Sequence, residues 1–324
     1  MPSTRPFLAA LIGATILVPG AAEAADLFQG DAAALLRTER LTIEAFGGYL
    51  TGQGREYVSN APFANDKLSQ LNWRIDNAFV VGGRMAVSPI EGLTLRARGW
   101  VHVASKNTMD DYDWLAGYVG FNSWTDWSHS PDTDIAKAWQ GDVSAAYRWW
   151  QDEDLALTAI GGYRYMTMKW NAKGGSYVYS TFDFYDTVGT FPPGQLGIAY
   201  QQWWSTPYAG LGLVYKMGAL LLTSELIASP WAYGRDKDHH ALRSLVFTED
   251  FRPTTFFAAT VGAEYQYADW LAFTARAEYQ NYGNATGPTK MLDGLTGNVF
   301  NFRKPSAGAD AETLLLSLGV KTKI

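Results

Sequence analysis

Residues 93–103 read Leu93, Thr94, Leu95, Arg96, Ala97, Arg98, Gly99, Trp100, Val101, His102 and Val103. The odd positions form one apolar face, and the even positions collect Thr94, Arg96, Arg98, Trp100 and His102 on the other. That two-residue period belongs to a strand. Residues 271–280 repeat it, with Leu271, Phe273, Ala275, Ala277 and Tyr279 opposed to Ala272, Thr274, Arg276, Glu278 and Gln280. The pattern recurs in 219–229, 257–267 and 313–324, and more weakly in 41–50, 69–87, 135–150, 154–170 and 196–215.

These are ten segments, and the joins between them alternate in length. Short joins fall near 88–91, 151–154, 216–218 and 267–270; long ones span 51–68, 104–134, 171–195, 234–253 and 285–312. Even strand number with short turns at one end and long loops at the other marks an outer-membrane barrel. Closure is what hydrocarbon requires, because an open sheet edge would leave backbone N–H and C=O groups unpaired where water cannot reach. We therefore expect an all-β fold, a ten-stranded antiparallel transmembrane β-barrel with long extracellular loops. A soluble β-sandwich would not normally aim Arg96, Arg98, Glu225, Glu264, Arg276 and Glu278 away from the apolar side of their strands. In a narrow barrel those charges can pair across the lumen, which argues against an open diffusion pore.

Composition agrees with the membrane reading. Charged residues are 18% and aromatics 15%, with 13 Trp and 18 Tyr, and aromatics gather at membrane interfaces. Trp149, Trp150, Trp170, Trp231, Tyr233, Trp270 and Tyr282 stand at strand ends and are expected in the two interfacial girdles. Residues 1–24 carry Arg5, an apolar run from Phe7 to Pro19 and the terminus Ala22-Glu23-Ala24, the pattern of a signal peptide. Residues 25–324 then form a single barrel domain in the bacterial outer membrane. A net charge of −6 without a basic block excludes a nucleic-acid partner. With no Cys there is no disulfide framework and no thiolate metal site.

The topology puts the long loops outside the cell, and acidic clusters lie in them. Asp110, Asp111 and Asp113 precede Trp114; Asp236, Lys237, Asp238, His239 and His240 form the second cluster; Glu56 joins from the first loop. A His two residues after an Asp in an extended segment projects from the same side, and an imidazole with its own orienting carboxylate is the minimal kit for activating water. Taken alone, each cluster could equally be a solvated surface loop or a loose cation site. An adhesin or receptor whose acidic rim is only an electrostatic patch is the alternative function.

In order and spacing, Gln70-Leu71-Asn72-Trp73, Met109 to Trp114, Trp124-Thr125-Asp126 with Pro131-Asp132-Thr133, Gly174 to Ser180, and Asp236 to His240 resemble the omptins, ten-stranded outer-membrane endopeptidases. The resemblance implies an aspartic-type peptide hydrolase with catalytic residues Asp111, Asp113, Asp238 and His240, acting through an activated water and with no metal. It implies a pocket for a basic side chain made by Glu56 and Asp236 and walled by Met109 and Ile198. The expected partners are polypeptides with basic residues and outer-membrane lipid, with the chain acting as a monomer. Several omptins depend on lipopolysaccharide held on the outer wall. Here the family's Tyr is kept as Tyr163, but its Glu position is Tyr165 and two of its arginine positions are Thr167 and Trp203. Arg164, Lys169, Lys173 and Arg252 are candidate substitutes.

Overall fold

The computed structural model describes residues 41–59, 67–115 and 123–324, without the side chains of 303 and 304. The expected signal peptide lies outside the described residues. The strands are β1 (Leu41–Ser59), β2 (Lys67–Ile90), β3 (Leu93–Asp113), β4 (Asp126–Gln151), β5 (Leu155–Tyr179), β6 (Thr187–Met217), β7 (Leu220–His240), β8 (Leu245–Asp250), β9 (Thr254–Ala268), β10 (Leu271–Asp293) and β11 (Val299–Lys323). Neighbours pair antiparallel, and β11 closes on β1 over Thr42↔Lys323 to Val58↔Ala307.

Eleven strands make ten staves, because β8 and β9 lie end to end between β7 and β10. The ladder breaks at Phe251, Arg252 and Pro253, and proline has no N–H to give a ladder. The four short turns fall where expected. Gly92 and Gly218 have φ of +77° and +60°, the left-handed backbone that such tight reversals need. In the β4–β5 turn Asp152 accepts from the N–H groups of Asp154 and Leu155 at 3.1 and 2.8 Å.

The long joins differ from expectation. Most of 51–68, 171–195 and 285–312 is paired strand, as are the flanks of 104–134 and 234–253. A barrel strand needs only about 9–11 residues to cross the hydrocarbon, yet β4 has 26 residues and β6 has 31. The staves continue beyond the membrane as a paired extension in which backbone groups stay satisfied by their neighbours.

The apolar faces point outward: Leu95, Val101, Val103, Phe273 and Val320 are all exposed to the lipid side. Trp149, Trp150, Trp231, Tyr233 and Trp270 are exposed as girdle residues should be. Trp170 and Tyr282 correct the expectation, being fully buried inside the barrel. They belong to an aromatic floor across the lumen, where Trp73 stacks on Tyr200 at 5.2 Å between ring centres and Trp204 on Tyr282 at 4.7 Å.

Below that floor, at membrane level, the six charges expected in the lumen all have partners. Arg98 reaches Glu278 at 2.7 Å, Arg276 reaches Glu44 at 3.1 Å, Lys321 reaches Glu264 at 2.9 Å, and Arg96 bonds Glu225. Arg164 is also there, fully buried and bonded to Asp142 at 2.9 Å. It therefore cannot serve the outer wall.

Candidate active site

Above the floor, the strand extensions carry every expected site residue on strand rather than loop. On β3, alternation turns Met109, Asp111 and Asp113 inward and Asp110 outward, where it meets His129 at 2.9 Å. On β7, Asp236, Asp238 and His240 are inward while Lys237 and His239 point away. β3 and β7 stand on opposite sides of the ring, so their inward side chains face each other over the floor.

Asp111, Asp113 and His240 line one cleft of about 330 Å³, together with Met109, Ile198 and Arg243. His240 Nε2 is 2.5 Å from Asp238 Oδ2, and Asp238 is 1% exposed. Across the cleft Ser69 donates to Asp111 Oδ1 at 3.3 Å. Withdrawal from water and the neighbouring Asp113 charge push the Asp111 carboxyl well above its usual range. Burial raises Asp113 as well. Two adjacent carboxyls with raised proton affinity titrate as a pair. Burial, with the Asp111 and Asp113 charges, also pushes the Tyr179 hydroxyl on the cleft wall up to about 12.

The Gly174–Ser180 motif shapes one wall. Gly175 has φ +107°, and a Cβ there would lie 2.1 Å from the His129 carbonyl oxygen. Only glycine allows β5 to approach β4 at this point.

Glu56 enters from β1. It does not pair with Arg55, which faces the other side of the strand and bonds Asp310 at 2.7 Å. Glu56 and Asp236 are both buried, at 4% and 3% exposed. The Tyr200 hydroxyl donates to Asp236 Oδ2 at 2.9 Å. Burial, then the charges of Asp238 and Glu249, drive Glu56 well above the ordinary carboxylate range. Asp236 is driven up by burial and by Glu249.

Two residues escaped the sequence reading. Glu249 on β8 is the cross-strand partner of Asp236 and is 5% exposed. Its segment reads as a long join, and only the β7–β8 register brings it in. Arg243 sits on a single 3-10 turn, Ala241–Arg243, just past His240. Its guanidinium donates to His240 Nδ1 and lowers the proton affinity of both Asp111 and Asp113.

The sequence profile described as Omptin family matches residues 37–324. The chain belongs to the omptin family. Among its relatives, the plasminogen activator of Yersinia pestis is 30% identical over 284 residues, 87% of this chain and 89% of that protein. Protease 7 of Escherichia coli K12 is 27% identical, covering 85% of this chain and 87% of that one. The crystal structure of the outer membrane protease OmpT from Escherichia coli superposes with a TM-score of 0.84, over 89% of this chain and 97% of that chain, at 24% identity. This omptin is thus an outer-membrane protease, and its ten-stave barrel is the family's barrel. Among the described residues no three His, Asp or Glu side chains are grouped to hold a metal ion.

Proposed function

We propose that this omptin cuts polypeptides beside basic residues, with a water activated by Asp238 and His240 opposite Asp111 and Asp113. The observation that carries the reading is the 2.5 Å contact of His240 Nε2 with buried Asp238, at a cleft whose other wall carries Asp111 and Asp113. The Nε2–H held by Asp238 leaves Nδ1 as the basic nitrogen. Arg243, exposed on its turn, covers Nδ1 in the resting protein and must give way before a water takes its place. His240 then accepts the proton of the attacking water, and Asp238 stabilises the imidazolium. A proton shared by Asp111 and Asp113 is available to hydrogen-bond the oxyanion of the tetrahedral intermediate. His240 returns its proton to the leaving amine. No covalent acyl-enzyme forms, so serine-directed reagents and chelators should leave the rate unchanged.

The basic-residue preference rests on Glu56 and Asp236, buried carboxyls with oxygens that no donor among the described residues reaches. A guanidinium or ammonium from the substrate would supply those donors. Mapping the bonds cut in a mixed peptide library is the test. Cleavage without enrichment of Arg or Lys before the cut would overturn the preference, and full activity of His240→Ala would overturn the chemistry.

The outer wall supports only a weak lipopolysaccharide site. Thr167 is buried beneath Gln201 and Gln202, Trp203 packs under Arg235, Lys173 is held by Asp134 at 2.7 Å, and Arg164 is in the lumen. Tyr163, Lys169, Arg252 and the exposed Arg235 over Trp203 are left to meet a phosphate. Activity should rise with added lipopolysaccharide less steeply than in relatives with arginines at those positions.

A further inference from the structure

The pocket proposed for the basic side chain holds one carboxyl more than its specificity requires. Glu249 Oε2, Asp236 Oδ1 and Glu56 Oε2 are all buried, and no donor among the described residues reaches them. No ion pair joins the three side chains to a lysine or arginine among the described residues. Asp236 and Glu249 are directly opposite each other across the β7–β8 ladder, both buried. A proton on one of two such buried carboxyls removes a charge and supplies the donor that the other lacks. Three negative charges in a slot this dry would otherwise repel each other strongly.

We propose that Glu249 is a specificity-determining residue: it shares a proton with Asp236 while the pocket is empty, and that proton leaves when a cationic side chain enters. Recognition of a basic residue is then an exchange of one positive charge for another. This rests on the reading of Glu56 and Asp236 as the pocket for the basic side chain.

The surroundings suit the exchange. Asp236 and Asp238 face Glu249 from β7, Glu56 from β1, and the Tyr200 hydroxyl from β6 bonds Asp236. Opposite it on β10 stands the neutral Thr289, and Asp250 is its acidic neighbour on β8. Among the described residues no cation pairs with the slot, so a proton or an incoming cation can relieve it. Burial and the Asp238 charge hold Glu249 at about 7, so the exchange falls within the range where the enzyme can be assayed. An uncharged substrate side chain displaces no proton and gains nothing from the third carboxyl.

The test compares two peptides that differ only before the cut, one with arginine and one with citrulline, its neutral isostere. The ratio of their kcat/KM values cancels the titration of the catalytic groups, which acts on both. With intact protein refolded in detergent, the ratio should climb as pH rises through about 7, by up to about tenfold per pH unit for each proton released. In Glu249→Gln the climb should flatten and the ratio at pH 8 should fall at least tenfold. Heat-modifiable gel migration matching the parent reports that the variant is folded. A pH-independent ratio in the parent overturns the proposal without any variant. An arginine preference with the same pH profile in parent and variant overturns it and leaves the pocket standing. No arginine preference at any pH overturns the proposal and the pocket together.

Discussion

The barrel holds two sets of buried acids, one on each side of the aromatic floor, and they are treated in opposite ways. In the membrane-level lumen every acid has a cation. Glu278 takes Arg98 at 2.7 Å and Arg164 at 2.9 Å, Asp142 takes Arg164 at 2.9 Å, and Glu44 takes Arg84 at 2.5 Å. Above the floor Glu56, Asp236, Asp238 and Glu249 each keep an oxygen without a donor among the described residues, and Arg243 sits exposed at the rim. The same side chains are structural where their charge is balanced and chemical where it is not. An unbalanced buried acid costs stability, and the fold keeps its unbalanced acids at the open end, where a substrate can complete them.

The comparison predicts that substitutions above and below the floor fail differently. His240→Ala and Asp111→Asn should each lower kcat by about 10²–10⁴-fold, the range for loss of a positioned proton-transfer group. Heat-modifiable gel migration of both should match the parent. Glu278→Gln should do the reverse. It leaves Arg98 and Arg164 short of a partner in the lumen, and breaking a buried pair in this way costs about 3–5 kcal/mol of stability. A urea titration followed by tryptophan fluorescence would read the loss, and kcat/KM of the folded fraction should be unchanged. If Glu278→Gln abolishes catalysis while the barrel stays intact, the floor does not separate structure from chemistry.

Within the upper set, Glu56 is a cleaner probe of specificity than Asp236, which lies two positions from Asp238. Glu56→Gln leaves a substrate cation half-paired, a loss of about 2–5 kcal/mol when the pair is buried. It should appear in kcat/KM for peptides with Arg or Lys before the cut, and be much smaller for neutral residues there. An unchanged ratio of basic to neutral cleavage would separate Glu56 from the pocket.

The staves were legible because one face of each must be apolar, and residues 93–103 and 271–280 carry the whole argument in their alternation. The site acids were legible because parity is local: Asp236, Asp238 and His240 must share a side wherever the strand lies. What depends on register was hidden. Trp170 and Tyr282 read as girdle residues because an aromatic near a strand end looks alike from either face, and only the ring shows both turned inward under the cleft. Arg164 has the same history: one position of parity separates an outer-wall cation from a lumen one. The long joins misled for another reason. Extensions such as Gly174–Tyr179 and Asp236–His240 lack a lipid face, so neither side has to be apolar and the strand period fades although the ladder continues. Glu249 lies in such a stretch.

The smallest effect concerns stability against pH, and its sign follows from the upper set. In the unfolded chain Glu249 has the ordinary carboxyl value of 4.5, while in the barrel burial holds it at about 7. Between those values the folded state binds the extra proton, so stability falls as pH rises from about 4.5 through about 7 and is greatest below that window. Asp236 and Glu56 are raised as well and act in the same direction. Acids held by cations would give the opposite slope, losing stability as pH falls. Urea midpoints at pH 5 and pH 8, with folded protein in the same detergent, would show which set governs. We expect a lower midpoint at pH 8, and Glu249→Gln should narrow the gap chiefly by raising the pH 8 value, because it removes a charge the folded slot cannot solvate. A variant less stable than the parent at pH 8 would mean that the ionised Glu249 is already satisfied in the empty barrel, and the contrast between the two sides of the floor would not hold at this residue.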